Sequence, residues 1–472
     1  MINKKLFIIL TVAFILRIIS INQSLWLDEG TTSKVVLNYR FTQIISGFSL
    51  SDFHPPLYYL FMKLWTNIVG YSEVALRLPS ILFSLLTGYL VYKIAKLFTL
   101  NKVEGLNGYI AGIWAAVFFL FNPLIVYYSQ EARMYMMTTF LLTCGLFYLL
   151  KTITNSRINE LKCSIIFGVL VFLSFATFYG SIFLIIPMFL LLLYKRKYKS
   201  FLISFSIFTF SFLILLPIFI QQLSHSRESL LAVANWTSVL GTANLKNLLM
   251  IPLKFAFGRI SFYPKWLYYA MAGIWTVFIW IIIFIGAIKK QKENILLIKY
   301  YLLYLLIVPL ILGLIFSYVT PLLQYFRFIY LIPIMSILFG LGISDKPKSN
   351  RVGWILATGF IVLSLIYLLL PQFHRENWKS LAATLKNRIP VYMIKSSSDA
   401  LVYYRPDIKI KEIRNLIIRY DRSELLERKI YVIPYTADIY DFDYQTQLLA
   451  LNYRLQKKHS FHGLMYESWV KQ

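Results

Sequence analysis

Leu25-Trp26-Leu27-Asp28-Glu29-Gly30 follows directly on an apolar run that opens with Lys4-Lys5 and closes near Asn22. About 20 residues cross the hydrocarbon core as a helix, so the run is long enough to be a span. Arg17 interrupts it and no small-residue cleavage site follows, which argues for a retained first span with a cytoplasmic N-terminus rather than a signal peptide. Arg17 sits near the far end, where its long stem would let it snorkel. Two adjacent carboxylates beside a tryptophan then stand at the membrane boundary, able to act as a base and as cation ligands. A carboxylate at a span end can equally be a plain solvated loop charge.

The rest of the chain extends this pattern. Of 472 residues 58% are hydrophobic and only 15% charged, against about 25% charged in soluble domains. A water-soluble globule and a disordered chain are excluded. Apolar runs at 4–22, 76–99, 108–124, 134–151, 163–178, 181–194, 200–220, 266–288, 297–317, 328–343 and 352–371 predict about eleven transmembrane helices, a mainly α polytopic membrane protein. Lys+Arg exceed Asp+Glu by 48 − 21 = 27, but the excess collects between runs. Lys93, Lys96 and Lys102; Lys151, Arg157 and Lys162; Lys195, Arg196, Lys197 and Lys199; Lys289, Lys290 and Lys292; and Lys346, Lys348 and Arg351 all fall on the side of Lys4 and Lys5. That distribution meets the positive-inside rule and makes a nucleic-acid partner unnecessary. Cys144 and Cys163 lie at or in apolar runs without metal-site spacing.

This topology assigns residues 1–371 to a membrane domain with outer loops at 23–75 and 221–265, and 372–472 to an extracytoplasmic domain. The tail alternates predicted helices (Trp378–Arg388, Ser398–Tyr404, Ser423–Lys429, Tyr444–Lys457) with strands (Val391–Ile394, Lys409–Ile413, Ile430–Ile433, Leu464–Trp469), a small α/β domain.

Three outer stretches carry ionisable residues. The first loop adds His54, fixed before Pro55-Pro56, to Asp28 and Glu29. The third span leads into Tyr128-Ser129-Gln130-Glu131-Ala132-Arg133-Met134-Tyr135. Glu131 and Arg133 are two apart and would not face each other on a helix, which favours separate partners over a self-satisfied pair. Arg327, among aromatics at the start of the tenth span, suits either a lipid phosphate or an interfacial anchor.

These stretches resemble the GT-C superfamily of integral-membrane glycosyltransferases, and within it glycosyltransferase family 39, whose members include protein O-mannosyltransferases and the lipid A aminoarabinose transferase. The resemblance rests on Trp26-Leu27-Asp28-Glu29, Asp52-Phe53-His54-Pro55-Pro56-Leu57, Arg77-Leu78-Pro79-Ser80, the 128–135 stretch, Arg327-Phe328 before Leu331-Ile332-Pro333, and Arg375-Glu376-Asn377-Trp378. It implies transfer of a sugar from a polyprenyl- or dolichyl-phosphate donor to an extracytoplasmic acceptor (protein, lipid or cell-surface glycan), in the cell membrane. Asp28 would be the catalytic carboxylate. Glu29, His54, Tyr128, Glu131, Arg133, Tyr135 and Arg327 would surround the substrates, with Arg133 and Arg327 neutralising the donor phosphate. Glu29, His54 and Glu131 are the candidate ligands of a divalent cation.

The chemistry of the residues agrees with that implication. A lipid phosphate leaves readily and needs positive charge more than a proton, while the attacking hydroxyl gains from one positioned carboxylate. Direct displacement would invert the anomeric centre. A transporter or flippase of lipid-linked sugars would bind the same lipid, but such proteins place substrate near the midplane on broken helices. A polysaccharide polymerase or ligase differs only in its substrates.

Overall fold

A computed structural model describes residues 4–97, 105–154, 159–233, 235–288, 293–343, 349–418 and 427–472. Each of the eleven apolar runs carries a helix. Among the described residues eight helices are long and apolar enough to cross a membrane, and a bent pair makes a ninth. Lys4–Ile18 and Tyr179–Tyr194 are shorter apolar segments. The chain is a multi-pass membrane protein. Of the basic clusters, Lys102, Arg157, Lys289, Lys290, Lys292, Lys346 and Lys348 lie outside the described residues.

Four departures from the sequence reading position the site. Arg17 does not snorkel: it is fully buried, with Nε donating to Ser84 Oγ (2.9 Å) and its two terminal nitrogens to the Ala13 and Leu120 carbonyls (2.8 Å each). The third span stops at Phe121, because the Asn122 side chain caps the amides of Leu124 and Ile125 and Pro123 opens a new helix, Pro123–Ser129, bent by 59° from the first. That bend turns the 127–134 stretch inward, and what reads as a short outer turn is partly helical and buried. The seventh helix continues beyond residue 220 to Ala232, because Gln221 to Leu231 are polar or apolar helix formers that end the hydropathy without ending the helix. Its Gln222 Nε2 reaches back to the carbonyls of Ser49 (2.6 Å) and His54 (2.8 Å).

The fourth departure is the first loop, which is largely helical. Leu27–Asn38 begins with Asp28 and Glu29 in its first turn, where negative charge suits the helix dipole. Leu57–Val69 buries Tyr58, Met62 and Thr66 at four-residue spacing and stops at Gly70, whose φ of 101° is open to glycine.

The C-terminal part carries a five-stranded sheet, β1 (Val391–Met393), β2 (Ile410–Glu412), β3 (Lys429–Val432), β4 (Tyr453–Phe461) and β5 (Leu464–Lys471), in the order β2-β1-β3-β5-β4. β1 is parallel to β2 and β3, with Val391 opposite Ile410 and Tyr431, and β5 runs antiparallel to β3 and β4. The helix expected over Tyr444–Lys457 ends at Ala450, and Tyr453–Phe461 is an edge strand whose lysines and arginine face solvent, a polar pattern easily mistaken for helix. The helix expected over Ser423–Lys429 falls mostly outside the described residues, and Lys429 opens β3.

This part abuts the helix that carries Asp28. A side chain at Gly30 would come within 2.4 Å of the Ala400 amide nitrogen, so glycine permits the contact. Asp399 pairs with Lys34 (3.1 Å) and accepts from Thr31 Oγ1 (3.3 Å).

Candidate active site

Two buried ion pairs form the floor of the region. Arg77 gives Nε and one terminal nitrogen to Glu29 (2.8 and 2.5 Å) and spends its remaining donors on the carbonyls of Ile21 (2.7 Å), Gln23 (2.6 Å) and Ser24 (3.0 Å). Glu29 also accepts the Ala132 amide (2.8 Å). Burial by itself pushes the Glu29 carboxyl up, but Arg77 and then Arg375 outweigh it and hold it below the usual glutamate value. The second pair joins Arg375 to Glu131 (3.1 Å), with Arg375 donating as well to the Gln130 carbonyl (2.7 Å). Glu131 Oε1 finds no partner among the described residues, and burial pushes this carboxyl up to about 7 against the pull of Arg375.

Above the floor lies a looser group. The Asp28 carboxylate is 36% exposed and 3.8 Å from a terminal nitrogen of Arg133, whereas the Glu29 side chain is 0% exposed. Arg133 reaches Tyr59 Oη and His54 Nε2 at 3.3 Å each and the Asp28 carbonyl at 3.4 Å, and its Nε is without a partner among the described residues. The other ring nitrogen of His54 lies 3.5 Å from Asp52. Burial raises the Asp52 carboxyl, but His54 outweighs it and the result is below the ordinary aspartate value.

The described residues enclose an apolar and a polar hollow. An apolar groove of about 410 Å³ is lined by Phe41, Leu57, Leu60, Leu64, Met137 and Leu173 among others. Leu57 and Met137 follow His54 and Arg133 by three and four residues in the chain. A polar cleft of about 250 Å³ lies between Trp26, Tyr127 and Arg259 on one side and His374, Glu376 and His462 on the other. Arg259 and Arg375 both lie over the Tyr127 ring (4.6 and 4.5 Å to its centre), and Arg259 donates to the Tyr127 hydroxyl (2.6 Å).

The structure therefore brings Asp28, His54 and Arg133 together and seats Glu29 and Glu131 beneath them. Glu29 and Glu131, expected around the donor phosphate or a cation, each face a buried arginine instead. No group of three metal-ligating side chains occurs among the described residues, so Glu29, His54 and Glu131 do not fit as one ligand set. Tyr128 and Tyr135 are buried with their rings 5.2 Å apart. Arg327 donates to the Pro321 carbonyl (3.2 Å), and both its charge and the ring of its neighbour Phe326 (5.8 Å) act on Tyr135. Arg77, Arg259, Arg375 and Glu376 were missing from the expected site. Buried arginines among apolar residues demand counter-charges, but the pairings span 48 and 244 residues of sequence.

Comparison with known proteins bears on the fold. Residues 53–225 match the family described as dolichyl-phosphate-mannose-protein mannosyltransferase. The fold is similar to that of ArnT from Cupriavidus metallidurans bound to undecaprenyl phosphate, with a TM-score of 0.59 at 12% identity over 98% of this chain and 97% of that one. It is also similar to the archaeal oligosaccharyltransferase AglB from Archaeoglobus fulgidus in complex with an inhibitory peptide and a dolichol-phosphate, with a TM-score of 0.54 at 10% identity over 98% of this chain and 74% of that one. No curated protein matches the chain by sequence at a significant level. The chain is thus a polytopic membrane protein with a fold similar to those of ArnT and AglB, and its residues 53–225 match the mannosyltransferase family model.

Proposed function

We propose that the protein transfers a sugar from a polyprenyl- or dolichyl-phosphate donor to an extracytoplasmic acceptor (protein, lipid or cell-surface glycan), with Asp28 as its catalytic carboxylate and the N-terminus in the cytoplasm. One observation carries this reading: Asp28 alone of the three site carboxylates Asp28, Glu29 and Glu131 is open, and it stands beside an incompletely paired arginine. The fold shared with ArnT and AglB, whose structures hold undecaprenyl phosphate and a dolichol-phosphate, supports the same lipid class.

In this mechanism the lipid phosphate sits at Arg133 and His54 and its isoprenoid tail runs along the apolar groove that starts at Leu57 and Met137. Asp28 takes the proton of the acceptor hydroxyl as that oxygen attacks the anomeric carbon. The bond from that carbon to the phosphate oxygen breaks, and the lipid phosphate leaves with the electron pair beside Arg133. A positioned base of this kind contributes roughly 10²–10⁴-fold, and a single displacement inverts the anomeric centre. With a phosphate acceptor Asp28 would orient it and take no proton. A divalent cation has no step in this scheme.

The test is incubation of the reconstituted protein with radiolabelled polyprenyl-phosphate sugars and a membrane extract. Label moving from one donor onto an acceptor is the expected outcome. Passage of intact donor across the vesicle without transfer would replace the enzyme by a flippase.

A further inference from the structure

The polar cleft has a feature that the transfer scheme does not use. Glu376 lines it, held by the Tyr435 hydroxyl, which donates to Oε1 (3.0 Å), while Oε2 is buried without a partner among the described residues. Trp26 lines the same cleft, and its indole N–H is likewise buried without a partner among the described residues. Gly463, at φ +69°, packs against Glu376, and a side chain there would stand 3.0 Å from its Cγ. The carboxylate is thus held from two sides.

One acceptor oxygen and one N–H donor in one cleft need a ligand group that both donates and accepts, because leaving buried polar groups unmatched is costly. Hydroxyl groups do both. An aromatic wall, Trp26, suits the C–H face of a ring, and about 250 Å³ lies below the size of drug-sized pockets and matches one small ring rather than a polymer. Arg259 and Arg375 in the wall would tolerate an attached phosphate nearby.

We infer that this cleft is the subsite for the donor's sugar ring, with Glu376 Oε2 accepting from a ring hydroxyl and the Trp26 indole N–H donating to a ring oxygen, so that the C-terminal part of the chain selects the sugar. The inference rests on the proposed function and deepens it.

Wild-type protein and Glu376→Gln, in lipid nanodiscs, are titrated with undecaprenyl phosphate and with undecaprenyl-phosphate-linked mannose, glucose, galactose and arabinose. The expected result is that at least one glycosylated lipid binds wild type roughly tenfold tighter than the bare lipid, the scale of one hydrogen bond to a charged group. Glu376→Gln should lose that gain while binding the bare lipid as wild type does. A variant that keeps the gain overturns the subsite and leaves the proposed function standing. Absence of a gain for all four sugars in wild type overturns the subsite too, whereas failure to bind any polyprenyl phosphate overturns the proposed function itself. Should Glu376→Gln lose the bare lipid as well, Trp26→Phe decides. It removes the opposing N–H together with part of the indole ring, and a retained gain there contradicts the inference.

Discussion

Glu29 and Asp28 are neighbours in one helical turn, yet they belong to opposite kinds of site. Glu29 is sealed, with both oxygens on Arg77 at 2.8 and 2.5 Å and every donor of that arginine occupied. Asp28 is partly open, 3.8 Å from an Arg133 whose other contacts are no shorter than 3.3 Å. A buried, saturated pair fixes geometry and has nothing left to offer a substrate. A loosely held pair can exchange its partner for a ligand. The lesson is that charge at a membrane boundary divides by saturation of hydrogen bonding, not by residue type.

Substitutions can break this contrast at either side. The largest effect on the protein itself is expected from Glu29→Ala, which strands Arg77 and should cost about 3–5 kcal/mol of stability, read as a collapse in yield or in unfolding temperature in detergent; an unchanged temperature would contradict the structural role. Arg133→Ala should leave that temperature nearly unchanged while weakening undecaprenyl phosphate binding roughly tenfold, measured by titration in nanodiscs. The smallest effect is a titration within the floor. Glu131, raised by burial to about 7, holds its proton in the folded protein where the unfolded chain has released it, so it should lower stability as pH climbs from the ordinary glutamate range to about 7 and add no further slope above that. The infrared band of a protonated carboxyl should fade with a midpoint near 7 and be missing from Glu131→Gln.

Much of this was legible in the sequence because membrane insertion writes itself into composition. All eleven apolar runs became helices, and the strands β1, β2, β3 and β5 fell where alternating apolar residues placed them. Asp28, His54 and Arg133 were legible as ionisable residues near span ends, and the structure brings them together. The partners of Glu29 and Glu131 were not, since Arg77 and Arg375 meet them through tertiary packing alone and no local period marks it. The bend at Asn122-Pro123 was written in the residues as a cap followed by a proline, but apolar continuity across it masked the signal. β4 was hidden because an exposed edge strand carries the same lysine-rich pattern as a solvent-facing helix.

The claim that the open carboxylate does the chemistry while its sealed neighbour holds the frame is tested most directly by Asp28→Asn. Its sugar-transfer rate and its unfolding temperature should be measured on the same reconstituted sample. The account predicts a rate lower by roughly 10²–10⁴-fold at an unfolding temperature matching wild type. Transfer at the wild-type rate from the folded variant would contradict it.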